Sequence, residues 1–122
     1  IIYNADALEI YRTIYICEGA INAETLGENG IATGGKAVSR WQVNKFIKSQ
    51  VEKFIILIDP DAKDKALDLA FKLVPFKKVK VVFLPDNEDV NSLGKQRTLE
   101  YVRETTYQTY QELLSIKSQL KL

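Results

Sequence analysis

The sequence predicts an α/β fold, with a parallel sheet of about four strands flanked by helices and followed by a C-terminal helix. Three observations predict it. Four short β-rich apolar runs alternate with helix-patterned segments, the order that right-handed crossover connections produce. One run, Phe54-Ile55-Ile56-Leu57-Ile58, is continuously apolar, as a central strand covered on both faces must be. The residues that follow the runs are glycines and acids: Glu18-Gly19, Gly34-Gly35, Asp59-Pro60-Asp61 and Asp86 to Asp89. Open parallel sheets hold their ligands at that edge, and no demand of an apolar core places acids there.

In chain order, Ile1 to Arg12 is a short helix or lead-in. Ile14-Tyr15-Ile16-Cys17 is a strand that stops at Glu18-Gly19, and Cys17 within it is a small core hydrophobe. Ala20 to Leu26 has helical composition, closed by Gly27 and Gly30. Ile31-Ala32-Thr33 is a short strand ending in Gly34-Gly35. Ser39 caps a helix running to about Ser49, with Trp41, Val43, Phe46 and Ile47 as its apolar stripe. After the strand Phe54 to Ile58, Asp61 or Ala62 opens a helix that buries Ala66, Leu67, Leu69, Ala70, Leu73 and Val74 and ends at Pro75. Val79 to Leu84 is a strand, and Pro85 to Asp89 a polar turn. From about Arg97 to the end the pattern is helical. Leu99, Val102, Thr106, Thr109, Leu113, Ile116 and Leu120 follow a 3-4 spacing. Two threonines in that seam favour a helix packed on the domain over a coiled coil.

Composition bounds the chemistry. The 122 residues have ordinary globular character, with 46% hydrophobic and 27% charged residues. No apolar run is long enough to span a bilayer, and no signal or lipidation motif is visible, so a cytoplasmic setting is expected. One cysteine excludes a disulfide framework and a cysteine-rich zinc site, and the absence of histidine removes Ser-His-Asp and Cys-His chemistry. The absence of methionine implies a segment processed or excised from a longer chain. Net charge is only +1, but residues 36 to 80 carry eleven basic and five acidic side chains, and the remainder six basic and eleven acidic. That separation suits a basic groove beside an acidic site, or simply solvated helix faces.

Glu18, Asp59, Asp61 and Asp89 converge on one edge of the predicted sheet. Each alone is explained by helix capping, as for Asp59 or Asp61. Together they repel unless a cation is present, and hard oxygen ligands without His or Cys select Mg²⁺ or Mn²⁺. Gly34 and Gly35 allow close approach of a phosphate, with Lys36 and Arg40 next to them; the plain alternative is a turn with a solvated lysine. The stretch Gly30 to Lys36 fits G-x-x-x-x-G-K, but Ala37 stands where a P-loop needs Ser or Thr, and a strand occupies the interior of the motif. Trp41 is expected in the core of its helix, with base stacking the lesser reading.

These residues resemble the Toprim domain, which primases, type IA and type II topoisomerases, some nucleases and recombination proteins share. The resemblance is carried by an apolar strand leading to Glu18-Gly19 and, about forty residues on, a strand leading to Asp59-x-Asp61. It spans about Ile14 to Leu93. The segments Cys17-Glu18-Gly19-Ala20-Ile21-Asn22-Ala23 and Leu84-Pro85-Asp86-Asn87-Glu88-Asp89-Val90-Asn91-Ser92-Leu93 look like those of phage and plasmid primases or primase-helicases. Asn22 and Asn91 stand where cellular primases usually carry Asp, which fits the phage-like branch. The usual glycine after Asp-x-Asp is replaced by Ala62-Lys63-Asp64-Lys65.

The resemblance implies a Rossmann-like Toprim domain over residues 1–96, with its core at about 14–93, and a helical extension over 97–122. It implies the metal-dependent phosphoryl-transfer domain of a DNA primase, a nucleotidyltransferase that makes RNA primers from ribonucleoside triphosphates on single-stranded DNA. Asp59, Asp61 and Asp89 would hold Mg²⁺ or Mn²⁺, and Glu18 would be a ligand or proton acceptor. Other domains of a parent primase or a helicase would be partners, and the isolated domain is expected to be inactive. A Toprim nuclease uses the same carboxylates, and a non-catalytic binding module uses the fold alone; both remain open at the level of sequence.

Overall fold

Strands β1 (Thr13–Cys17), β2 (Gly30–Ala32), β3 (Lys53–Leu57) and β4 (Lys78–Val81) form one sheet in the order β2-β1-β3-β4. Every pairing is parallel, and the register sets Cys17 opposite both Ala32 and Leu57. The computed structural model describes residues 1–122 apart from Gly35, Lys36 and Ile58. Helices α1 (Ala7–Ile10), α2 (Ala20–Leu26), α3 (Arg40–Lys48), α4 (Lys63–Leu73), α5 (Val90–Leu93), α6 (Lys95–Glu104) and α7 (Tyr110–Leu120) fill the connections. A single 3₁₀ turn over Pro60–Ala62 leads into α4.

The two-residue period of the strands divides the core. Ile14, Ile16, Ile31, Phe54, Ile56, Val79 and Val81 pack on one face with α1, α3, α4 and α7. Cys17, Ala32, Ile55, Leu57 and Val82 pack on the other with α2, α5 and α6. The sheet is thus the middle of three layers, and β3 is buried from Phe54 to Leu57 with a paired neighbour on each side. Each fully buried side chain of this size contributes about 1.5–3 kcal/mol, which makes the strand register costly to shift. Gly30 is required by packing, because a Cβ there would lie 2.3 Å from the Ala23 carbonyl oxygen of α2.

Both sheet edges are covered. Tyr3 exchanges two backbone hydrogen bonds with Ala32 of β2, at 2.9 and 3.3 Å. On β4, the Gln108 amide donates to the Val79 carbonyl at 2.9 Å. The Gln108 side chain accepts from the Val81 amide at 2.7 Å and donates to the Val81 carbonyl at 3.1 Å. The glutamine therefore completes the hydrogen bonding that a fifth strand would supply. Lys80 ties the same segment to the sheet: its Nζ donates to the Val102 carbonyl at 3.0 Å and lies 4.3 Å from the Tyr107 ring centroid.

Several expectations are corrected. The C-terminal region is two helices, broken between Glu104 and Tyr110 where the chain runs along the β4 edge. Thr109 is not in a seam. It is the N-cap of α7, its side chain accepting from the Glu112 amide while Glu112 accepts from the Thr109 amide. The 3-4 spacing holds on each side of the break, but on opposite faces of the sheet: Leu99 and Val102 of α6 pack with Cys17 and Leu57, whereas Leu113 is buried and Ile116 and Leu120 pack on the other face. Trp41 is not in the core; it is 69% exposed, because the buried side of α3 is set by Val43, Phe46 and the half-buried Ile47. The lead-in helix is only Ala7–Ile10, since Tyr3 is held in extended form by β2. β2 starts at Gly30, and β4 ends at Val81 although Val82 and Leu84 stay buried. Ser39 caps α3 as expected, in a reciprocal pair with Gln42.

Gln108→Ala should lower unfolding free energy by about 1–2 kcal/mol, because one side chain satisfies both Val81 backbone groups. Urea denaturation measures it; an unchanged midpoint would show that the β4 edge is satisfied without the glutamine.

Candidate active site

The order of strands reverses between β1 and β3. The chain leaves β1 toward β2 through α2 on one face, and leaves β3 toward β4 through α4 on the other. The two connections diverge and open a crevice at the carboxyl ends of the central strands. Glu18 follows β1 directly, and Asp59 lies two residues past β3, so paired register delivers both to the crevice. The two carboxyl groups lie close enough that each acts on the other's protonation.

Asp61 sits in the 3₁₀ turn after Asp59 and is exposed. Asp89 arrives from the loop after β4. A cleft of about 430 Å³ is walled by Asp59, Pro60 and Asp61 on one side and Asn87, Glu88 and Asp89 on the other. The loop is shaped by Asn87, whose φ of 64° is one that Asn tolerates, and by a hydrogen bond from the Glu88 amide to the Pro85 carbonyl at 3.1 Å. Asp89 is the N-cap of α5. One carboxylate oxygen accepts from the Ser92 amide at 2.8 Å, and Ser92 Oγ accepts from the Asp89 amide at 2.9 Å. Capping thus orients Asp89 and leaves its second oxygen for another partner.

Electrostatics couple the acids. Burial, then the charges of Asp59 and Asp61, push the Glu18 carboxyl above the ordinary carboxylate range, while Lys65 opposes the shift. Burial, then Asp89 and Asp61, push Asp59 up, and the neighbouring Glu18 partly offsets this. The buried Cys17 thiol is pushed up to about 12 by burial and by Asp59, so it is an inert core group, as expected.

Of the four acids the sequence placed on one edge, Asp59, Asp61 and Asp89 line one cleft, and Glu18 stands beside Asp59. Gly34 lies beside them: its amide donates to the Glu18 carbonyl at 2.9 Å, with φ at 83°, where glycine is favoured. Arg40 opens α3 and is exposed. Gly35 and Lys36 lie outside the described residues. Three contributors were missed. Glu88 lines the cleft and accepts from Ser92 Oγ at 2.7 Å. Lys65 acts on Glu18, and its place four residues after Asp61 was the available signal. Asn22 is buried, and its Oδ1 accepts from the Asn91 amide at 3.0 Å, pinning the Asp89 helix to α2.

Among the described residues, no three acidic or sulfur ligands form a preformed cage around one ion. The donor set still fits a hard cation that keeps most of its water, since Mg²⁺ is commonly held by one or two carboxylates. A pair of crowded carboxyl groups pushed above their ordinary range by burial and by neighbouring acids is the chemistry such a cation relieves.

Solved primase structures share this fold. The Aquifex aeolicus primase, comprising zinc-binding and RNA polymerase domains, matches with a TM-score of 0.69 and 23% identity, over 87% of this chain and 29% of that one. It shares its fold with primase catalytic cores. The E. coli primase catalytic core matches with a TM-score of 0.70 and 18% identity, over 87% of this chain and 39% of that one. A DnaG primase catalytic domain bound to single-stranded DNA matches at 0.69 and 21%, over 87% of this chain and 40% of that one. The chain therefore spans well under half the length of these primase chains. No family model and no curated protein matches the sequence. Among the described residues, no helix is long and apolar enough to cross a membrane.

Raised carboxyl pKa values mean that the folded state holds protons more tightly than the unfolded chain. The stability this supplies is full below the ordinary carboxylate range and is lost as pH rises through the raised values. Glu18→Gln should therefore raise Tm at pH 7 by about 1–4 °C, with the gain vanishing below about pH 4. A lower Tm for Glu18→Gln at pH 7 would show that the ionised pair is stabilising.

Proposed function

We propose that this chain is the metal-dependent phosphoryl-transfer domain of a phage- or plasmid-type DNA primase or primase-helicase, a Toprim domain that serves RNA primer synthesis on single-stranded DNA. The observation that carries the reading is the Glu18–Asp59 carboxyl pair at the strand-order reversal, flanked by Asp61 and Asp89, in a fold shared with primase cores. Asp59, Asp61 and Asp89 would hold Mg²⁺ or Mn²⁺. When bound, the cation neutralises phosphate charge and fixes the orientation of the triphosphate.

The residues divide the remaining work. Glu18 accepts the proton of the attacking 3′-hydroxyl, for which its raised pKa suits it better than an ordinary carboxylate. The oxygen–phosphorus bond forms at the α-phosphate, and the bond to the leaving pyrophosphate breaks. Gly34, Gly35, Lys36 and Arg40 contact phosphate. Asn22, through Asn91, holds the Asp89 helix in place. The setting is cytoplasmic, and the partners are template DNA, ribonucleoside triphosphates and other domains of the parent or a helicase.

Two measurements test the reading. Mg²⁺ or Mn²⁺ should raise the Tm of this chain by mass action, and Asp59→Asn should abolish most of the rise. A parent protein carrying the domain should make short RNA from template, ribonucleotides and Mg²⁺, and Asp61→Ala should cut the rate about a hundredfold or more. Equal metal response in Asp59→Asn would sink the site and favour a non-catalytic binding module. A parent that cleaves nucleic acid but never extends a primer would make the same carboxylates those of a nuclease.

A further inference from the structure

The solvent face of α3 is unusual for a surface helix. Its nine residues include Arg40, Lys45 and Lys48 and no acid. Among the described residues, none of these three makes an ion pair. Trp41, the only tryptophan of the chain, stands among them 69% exposed. Lys45 Nζ lies 5.5 Å from its ring centroid, so the ring is held in a cationic setting. Trp41, Asn44, Lys45 and Lys48 follow the spacing of one helix face. A depression of about 640 Å³ adjoins them, floored by Leu8 and by Gln50, whose side chain is tied to the Tyr11 carbonyl at 3.0 Å. An exposed apolar residue alone needs no explanation. A large exposed ring amid unpaired cations, beside a concave surface, does.

We propose that this face binds single-stranded nucleic acid, with Trp41 stacking one base and Arg40, Lys45 and Lys48 contacting the neighbouring phosphates. A flat aromatic surface beside tracking positive charge is the chemistry that holds unpaired strands without reading their sequence. The helix is about 13 Å long, room for about two or three nucleotides. α3 follows β2, so it begins at the sheet edge that carries Glu18 and Asp59 and runs away from it. A strand on α3 would thus lead toward the carboxylate crevice. The inference deepens the template-binding part of the reading above and rests on that reading only for the role of the bound strand. Glu9, the acid lining the depression, opposes binding.

Because Trp41 is the chain's one tryptophan, its fluorescence reports the contact directly. The expected result is saturable quenching by dT12, weaker quenching by a duplex of equal length, and weak affinity, with Kd of about 10⁻⁵–10⁻⁴ M. rU12 and dT12 separate a primer from a template role, and the stronger quencher names the strand. By anisotropy of labelled dT12, Trp41→Ala should lose about tenfold in affinity, whereas Trp41→Phe retains most of it. Lys48→Ala should reduce the salt slope by about 0.7, and Glu9→Gln should tighten binding. Trp41→Ala should keep the Mg²⁺-dependent Tm rise, which shows intact folding. Binding of dT12 with unaltered fluorescence, equal affinity in Trp41→Ala, or equal quenching by polyglutamate would overturn the proposal, the last by assigning the face to an acidic protein. A chain that quenches with dT12 but gains no stability from Mg²⁺ would sink the carboxylate reading and leave this one standing.

Discussion

The reversal of strand order between β1 and β3 is the constraint on which the rest of the molecule depends. A parallel sheet with right-handed connections must send α2 and α4 to opposite faces once the order reverses. The space left between them has no apolar element to fill it. The side chains that enter it come from the first residues past the central strands, and here those are Glu18 and Asp59. The buried strands fix the register that brings the two together.

Holding acids together is a cost that the fold carries through several supports. Burial and crowding push the Glu18 and Asp59 carboxyls above the ordinary range, and Lys65 supplies an opposing charge at Glu18. Asp89 is kept oriented by its capping role at α5, and α5 is kept in place by the Asn22–Asn91 hydrogen bond. An Asp at either asparagine would retain an oxygen but add negative charge behind the cleft. The two asparagines therefore limit the number of carboxylates that any cation must offset. The edges of the sheet serve the same end. Tyr3 and Gln108 complete β2 and β4, so the sheet remains four strands with its reversal at the centre.

What was legible in the sequence follows from which signals are local. The four apolar runs and the acids after them mark strands and strand ends, and the Ser39 cap marks the start of α3 within one residue. Glu18, Asp59, Asp61 and Asp89 were legible because strand ends in a parallel sheet share one edge. Signals that depend on distant partners were not. The break at residues 105–109 exists because β4 has an open edge for Gln108 to occupy, although Thr109 and Glu112 already spelled a helix start. Trp41 was misplaced because hydrophobicity was counted before phase: it lies two residues from Val43 and faces away from the core stripe. Asn22 gave no sign of its role, because Asn91, its partner, is contributed by another helix.

The central claim is that the reversal gathers carboxylates into a cation site. Paramagnetic broadening by Mn²⁺ in an amide NMR spectrum tests it most directly. At low Mn²⁺, the amides of Gly19, Gly34, Asp61 and Asn91 should broaden first, while Thr13, Lys53 and Lys78 at the opposite sheet edge stay sharp. Uniform broadening, or broadening centred away from the β1–β3 crevice, would contradict the account.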